Sequence, residues 1–310
     1  MAIDTLPQGV FPTMITPFRD DLSIDWPGVD AVVDYYLGND AAGVFAVCGS
    51  SELPTLSHDE RFELAARVVR RAGGAPVVAS ATFGGPLVRQ AEDVKRMRDA
   101  GVAAVVVLTS EIAEPGASDS QWMDRLRALL DLTAGVPLGF YEIPGPNKRL
   151  LTPRMLRATA ETGRFLFHKD TSCRLDLIEK KARATEGTAL GFYNANASSV
   201  LHSLRCGGAG YSGIASNYYP RLWAWLCGNW REEPRRAEDL QTSLAVWERA
   251  AGSQYPAGAK AYLNMRGVPI GTACRSGSAS LAENDLRILA SLVALVERAE
   301  GELCGRGGSA

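Results

Sequence analysis

The stretch at residues 165–172, FLFHKDTS, is a short apolar run that closes on a lysine, Lys169. Phe165 and Phe167 alternate with Leu166 and His168, as in a buried strand. Burying an ammonium is costly, so an apolar strand seldom ends on one. Taken alone, Lys169 has two readings. It is a strand-end lysine with its head group in water, or an amine held in a dry pocket so that it stays neutral and nucleophilic. Free lysine titrates at about 10.4, and bringing it to about 7 takes roughly 4–5 kcal/mol of environmental bias. Apolar walls such as Phe165 and Phe167 would help supply it. The neutral amine attacks a ketone carbon and expels water to give an iminium. That cation is an electron sink, and it permits bond making or breaking one carbon away. Arginine could not substitute, because it stays charged.

Two further sites suit the same carbonyl chemistry. Tyr141 closes another apolar run, VPLGFY, and offers a hydroxyl for proton transfer; its bland reading is an aromatic capping a core. The loop Gly49-Ser50-Ser51, with backbone amides and two hydroxyls before a helix, suits the carboxylate of a keto acid; its bland reading is a polar turn. The joint reading rests on the agreement of the three.

These residues need elements to hold them. Strand candidates fall at residues 9–16, 43–47, 76–80, 102–108, 136–141, 165–169, 189–193 and 210–214. Helical periodicity falls between them, at residues 26–37, 57–71, 87–100, 119–132, 153–161, 175–184 and 198–205, with a further helix containing Trp223 and Trp225. Asp25 is a candidate N-cap, Ser57 with Glu60 forms a capping box, and Gly73-Gly74 stops that helix. Eight apolar strands alternating with eight helices predict a (β/α)8 TIM barrel, an α/β fold. A doubly wound sheet is the alternative, and no GxGxxG follows the first strand. The expected organisation is a barrel catalytic domain over residues 1–235, a C-terminal helical region packed on it over 236–300, and a flexible tail over 301–310. In such barrels the chemistry sits at the C-terminal ends of the strands. That rule gathers Gly49, Ser50, Ser51, Tyr141, Lys169, Tyr193 and Asn194 around one mouth.

Composition narrows the function. The chain has 310 residues, 46% hydrophobic and 22% charged, with a net charge of -2, so there is no electrostatic case for nucleic acid or an anionic membrane. No apolar run is long enough to span a bilayer, and the N-terminus lacks a signal-peptide layout. The six cysteines include no CxxC pair and read as reduced thiols of a cytoplasmic protein. The three histidines, His58, His168 and His202, form no HxH or HExxH pattern, so no metal site is expected. His168 and Asp170 should face away from Lys169 by strand alternation. Trp223, Trp225 and Trp230 read as core or subunit-face residues.

At these residues the chain resembles the dihydrodipicolinate synthase and N-acetylneuraminate lyase family of class I, Schiff-base aldolases, over roughly residues 8–300. GVFPTMITPF is similar to the family's opening strand, and AVCGSSELPTLSHDER to its Gly-Ser/Thr-Thr-Gly-Glu loop and following helix. FYEIP is similar to its tyrosine strand end, FHKDTS to its lysine strand, and KAYLNMRGVPIGTACR to a late helix and loop. The spacing of 28 positions from Tyr141 to Lys169 fits as well.

The resemblance implies Lys169 as the Schiff-base lysine and Tyr141 as the proton shuttle. It places a carboxylate on the Ser50-Ser51 turn, with Ser50 a relay to Tyr141. It also implies a pyruvate-type 2-keto acid, an aldehyde or sugar-acid second substrate, no metal or organic cofactor, and a homo-oligomer, a dimer or tetramer. Several positions depart from the pattern. Ser51 replaces the loop glycine, and Pro146 stands where the name-giving synthases carry arginine. The loop LTSEIAEPGAS lacks their tyrosine, which enters the neighbouring subunit's relay. Glu142 replaces a common asparagine, and Tyr211 and Ser212 replace small aliphatics. The amine chemistry is therefore expected to be kept and recognition of the second substrate changed, with Tyr193, Asn194, Asn196, Tyr211 and Ser212 as its candidate contacts. Lys148 and Arg149 come later than the synthase arginine; Arg149 either binds a distal carboxylate or caps a loop. Three functions remain open. One is a lyase forming, cleaving or dehydrating through the iminium, one a true 4-hydroxy-tetrahydrodipicolinate synthase, and one a non-catalytic barrel that binds a keto acid.

Overall fold

A computed structural model describes residues 5–252, 254–276 and 280–304. Eight parallel strands form one sheet: β1 (Gly9–Val10), β2 (Val44–Ala46), β3 (Val77–Ser80), β4 (Ala104–Leu108), β5 (Leu138–Tyr141), β6 (Phe165–Asp170), β7 (Gly191–Asn194) and β8 (Gly210–Tyr211). The spatial order is β1-β8-β7-β6-β5-β4-β3-β2. The ring closes through a parallel bridge between Thr13 and Phe45, with the Met14 amide donating to Phe45 at 2.9 Å and the Phe45 amide to Pro12 at 2.9 Å. The fold is a (β/α)8 TIM barrel.

Helices α1 (Trp26–Gly38), α2 (His58–Ala72), α3 (Leu87–Asp99), α4 (Asp119–Leu132), α5 (Pro153–Ala160), α6 (Leu175–Ala184), α7 (Val200–Arg205) and α8 (Pro220–Asn229) follow the strands in turn. Three more come after them: α9 (Pro234–Ala251), α10 (Ala257–Met265) and α11 (Glu283–Cys304). Among the described residues no helix is long and apolar enough to cross a membrane.

Local signals account for much of this. At α2, Ser57 Oγ accepts from the Glu60 amide and the Glu60 carboxylate accepts from the Ser57 amide, while Gly73 ends the helix at φ 60°. β4 reads AVVVL because both faces are covered, by the barrel interior and by helices. The interior is an aromatic ladder. Phe11 and Phe45 each meet Phe167, at 5.7 and 5.4 Å between centroids, and Phe167 meets Tyr193 at 4.7 Å. The C-terminal helices join the barrel through buried charge. The Lys260 ammonium of α10 donates to Glu52 in the loop after β2 at 2.8 Å, and Arg275 pairs with Glu60 of α2 at 2.7 Å.

Four local expectations change. The first strand is much shorter than residues 9–16, because Pro12 has no amide to continue the ladder. Asp25 stands before α1 without making a side-chain cap. A register shift between Leu138 and Gly139 against β6 reverses the alternation, so Phe165 stacks on Phe140 at 4.2 Å, and Phe140 packs on Trp122 of α4. Phe165 therefore lies in the outer layer and does not wall Lys169. Residues 301–304 of the expected tail belong to α11, and 305–310 lie outside the described residues.

Candidate active site

β5 and β6 end side by side, with Tyr141 the register partner of Lys169. Both side chains are 4% exposed, which settles the choice between a solvated and a buried lysine. The Lys169 Nζ lies 4.4 Å from the Tyr141 ring centre and 5.6 Å from that of Phe45. Burial lowers the Lys169 amine from 10.5 to about 8. That change corresponds to roughly 3 kcal/mol against the charged form. Burial also pushes the Tyr141 phenol well above its ordinary value, so the hydroxyl keeps its proton at neutral pH.

The Tyr141 hydroxyl reaches the loop after β2. A Cβ added at Gly49 would stand 3.2 Å from it, so glycine permits the approach. Ser50 Oγ donates to Thr13 Oγ1 at 3.1 Å. Lys169, Tyr141, Gly49 and Ser50 line one cavity of about 880 Å³ at the C-terminal mouth of the barrel. Lys148, Asn196, Ser198, Glu248, Arg249 and Tyr255 also reach it.

A buried ion cluster lies behind the two strand ends. Lys181 of α6 donates to Glu142 at 2.5 Å and to Asp170 at 2.8 Å, all three side chains being fully buried. Glu142 also accepts from the Leu151 amide at 2.7 Å. Burial raises the Glu142 carboxyl against the pull of Lys181; at Asp170 burial also pushes upward, but Lys181, His168 and the Ser172 hydrogen bond together hold the carboxyl low. His168 beside them is lowered to about 3, first by burial and then by Lys181, so its ring is neutral. As strand alternation required, His168 and Asp170 point away from the cavity. The cluster clamps the residues that flank Tyr141 and Lys169 in sequence. Glu142, His168 and Asp170 are close enough to share a metal ion, but the Lys181 ammonium bridges the two carboxylates. A second such group, Glu179, His202 and Cys206, lies on α6 and at the end of α7, outside the cavity lining.

Four expected contacts do not reach the cavity. Ser51 Oγ donates to the Met14 carbonyl at 2.7 Å and accepts from the Cys48 amide at 3.1 Å, closing its own turn. Asn194 caps the next segment, donating to Ser199 and accepting from the Asn196 amide at 2.8 Å. Ser212 Oγ donates to the Phe11 carbonyl at 2.8 Å. Tyr211 packs on Trp223 at 4.0 Å, in the layer between β8 and α8. In each case a nearer backbone or aromatic partner takes the side chain. Tyr193 belongs to the interior ladder, its hydroxyl donating to the Pro7 carbonyl at 2.8 Å, whereas Asn196 does line the cavity. Arg149 pairs with Asp119 at 2.7 Å and caps the Ala117 carbonyl, so it serves the loop. Thr13, Glu248 and Tyr255 at or beside the mouth carry no local signal, since each is brought there by a segment distant in sequence.

A (β/α)8 barrel with a buried amine and a phenol at its mouth defines the class: a lyase of the aldolase type. The chain belongs to the dihydrodipicolinate synthetase family, whose model matches residues 6–295. It is 28% identical over 248 residues to a protein of Cereibacter sphaeroides named 4-hydroxy-tetrahydrodipicolinate synthase, covering 78% of this chain and 80% of that one. It is 30% identical over 232 residues to the protein of the same name from Ruegeria pomeroyi, covering 70% and 73%. Its fold matches that of an E. coli prophage protein of the family, solved in complex with pyruvate, with a TM-score of 0.84, 20% identity and coverage of 94% and 98%.

Proposed function

We propose that this lyase binds a pyruvate-type 2-keto acid as an iminium on Lys169. The observation that carries the proposal is the Lys169 amine, buried against Tyr141 and Phe45, lowered to about 8, and opening into the mouth cavity. The amine nitrogen adds to the ketone carbon, and the carbinolamine loses its hydroxyl as water. Loss of a proton from the neighbouring carbon gives an enamine. That carbon then bonds to the carbonyl carbon of an aldehyde, or the same steps run backwards as cleavage or dehydration. Hydrolysis of the iminium returns the lysine.

Tyr141 is assigned the proton transfers, because its ring lies 4.4 Å from the reacting nitrogen and its hydroxyl retains its proton. The carboxylate is assigned to the Gly49–Ser50 edge of the turn, the part that faces the cavity. The pyruvate seen in the E. coli relative supports a keto acid as first substrate. A cavity of about 880 Å³ leaves room for a much larger second substrate, and Lys148, Arg249 and Asn196 offer it polar contacts. The relatives are named 4-hydroxy-tetrahydrodipicolinate synthase, so that synthase activity is one to assay. Against it stands Arg149, committed to Asp119 rather than to the cavity.

Borohydride reduction in the presence of pyruvate, followed by intact mass, is the test. The expected result is one reduced pyruvate adduct, absent in Lys169→Ala. No adduct, or one that persists in Lys169→Ala, overturns the proposal.

A further inference from the structure

His202 lies on α7 and Cys206 caps its C-terminus four positions on, so one helical turn puts both side chains on one face. The Cys206 amide donates to the His202 carbonyl at 3.2 Å, which closes that turn. Cys206 Sγ lies 3.8 Å from His202 Nε2. Glu179 approaches from α6, with a carboxylate oxygen within 4.8 Å of both atoms. The Leu175 carbonyl, at the start of α6, lies 3.3 Å from the same ring nitrogen. A nitrogen, a sulfur and two kinds of oxygen thus converge from two helices. A proton on Nε2 can point at only one of these acceptors, whereas a cation among them meets all. At tetrahedral zinc a sulfur and a nitrogen ligand stand roughly 3.6 Å apart, close to the separation found here. The three side chains are half-buried, so an ion reaches them without unfolding. Arg183 pairs with Glu179 at 2.8 Å, but that pair is exposed and therefore a weak competitor. Cys206 also lines a cavity of about 760 Å³ together with Pro7, Gln8, Leu190 and Ala209, which lead into β1, β7 and β8. The group therefore sits at the N-terminal end of the barrel, opposite the Lys169 mouth.

We infer that Glu179, His202 and Cys206 bind a divalent transition metal of the zinc type, in a site separate from the amine chemistry. The inference does not rest on the iminium reading above. The class of metal follows from the donors: thiolate with imidazole suits zinc and its neighbours, whereas magnesium and calcium take oxygen ligands. On binding, the thiol proton is released to water, and the imidazole keeps its proton on Nδ1 while Nε2 meets the metal. The Leu175 carbonyl is placed for the fourth position. Neither HxH nor HExxH spacing finds such a site, because the third side chain comes from another helix. The metal would join α6 to α7 as a staple. α6 also carries Lys181, two positions after Glu179, whose ammonium holds the buried cluster behind Tyr141 and Lys169. An ion bound only by the folded chain stabilises it by mass action.

The experiment takes the full-length chain, treated with a chelator and kept reduced, and titrates it with Co²⁺ as the spectroscopic stand-in for Zn²⁺. One equivalent should bind per chain, with a sulfur-to-cobalt charge-transfer band in the near ultraviolet, and Zn²⁺ should erase the band. Zn²⁺ should also raise the melting temperature of the wild type. Cys206→Ser should lose the band, and His202→Gln and Glu179→Gln should each weaken Co²⁺ binding by about tenfold or more. Cys173→Ser, which alters an exposed thiol elsewhere, should keep both band and affinity. No band in the wild type, a band that survives Cys206→Ser, or one lost in Cys173→Ser overturns the inference. Wild-type affinity in His202→Gln or Glu179→Gln, or a melting temperature that Zn²⁺ does not raise, overturns it as well. If Cys206→Ser melts early before metal is added, Cys206→Ala takes its place, and a band that persists there overturns the inference equally.

Discussion

Tyr141 and Lys169 are register partners on adjacent parallel strands, and the amine of one lies 4.4 Å from the ring centre of the other. Neighbouring parallel strands put partner side chains on the same face, so a phenol and an amine at one rung must share an environment. The next rung position on each strand, Glu142 and Asp170, faces outward and is held by Lys181. The inner pair is thereby fixed from behind by an outer one.

Burial sets the Lys169 amine at about 8, and only the neutral amine attacks a carbonyl. Protonation takes it out of play, so lowering the pH through this value removes reactive enzyme by about tenfold per unit. The initial rate of adduct formation with pyruvate should climb from about pH 6 to about pH 8 and flatten above. A lysine in water would keep climbing towards about 10.4. Stopped-flow or quenched borohydride trapping across that range distinguishes them.

Gly49→Ala adds a methyl group 3.2 Å from the Tyr141 hydroxyl, with little else nearby to clash. The phenol must shift, and a displacement of this size costs proton transfer more than it costs packing. Turnover should fall by about tenfold to a hundredfold, with melting temperature little changed and the adduct still trapped. A melt beside a methyl-proton exchange assay checks both halves.

Lys181→Met leaves two buried carboxylates without their cation. Breaking a buried pair this way typically costs about 3–5 kcal/mol. The sign with pH follows from the carboxyls. Without Lys181, burial raises both above their unfolded values, so folding is favoured while they are protonated and disfavoured as pH rises past them. The variant's deficit should therefore be smaller at about pH 5 than at about pH 8. Urea unfolding at the two pH values measures it, and an equal deficit contradicts the ion-cluster account.

Several features were legible because they are local. A lysine closing an apolar run, a tyrosine closing another, and a glycine in the loop after the second strand each announce themselves within a few residues, and the structure gathers Lys169, Tyr141, Gly49 and Ser50 around one cavity. The capping box at Ser57 and the outward turn of His168 follow from helix and strand periodicity in the same way. Phe165 was not legible, because the extra residue Leu166 in β6, opposite the Leu138–Gly139 step of β5, turns Phe165 to the outer face. Ser51, Asn194 and Ser212 have the right chemistry for a ligand, but tight turns offered them nearer backbone partners.

The sequence by itself determined the alternation of strands and helices, and with it that an amine and a phenol would stand at the same end of a ring. It did so because strand and helix periods, and the aversion of charge to apolar runs, act over a few residues. Only the tertiary structure decided which hydroxyls meet there. Thr13 and Asn217 are 204 positions apart, and Tyr255 arrives from beyond the barrel, so their contact exists only once the ring has closed and α10 has docked on it through Lys260 and Glu52.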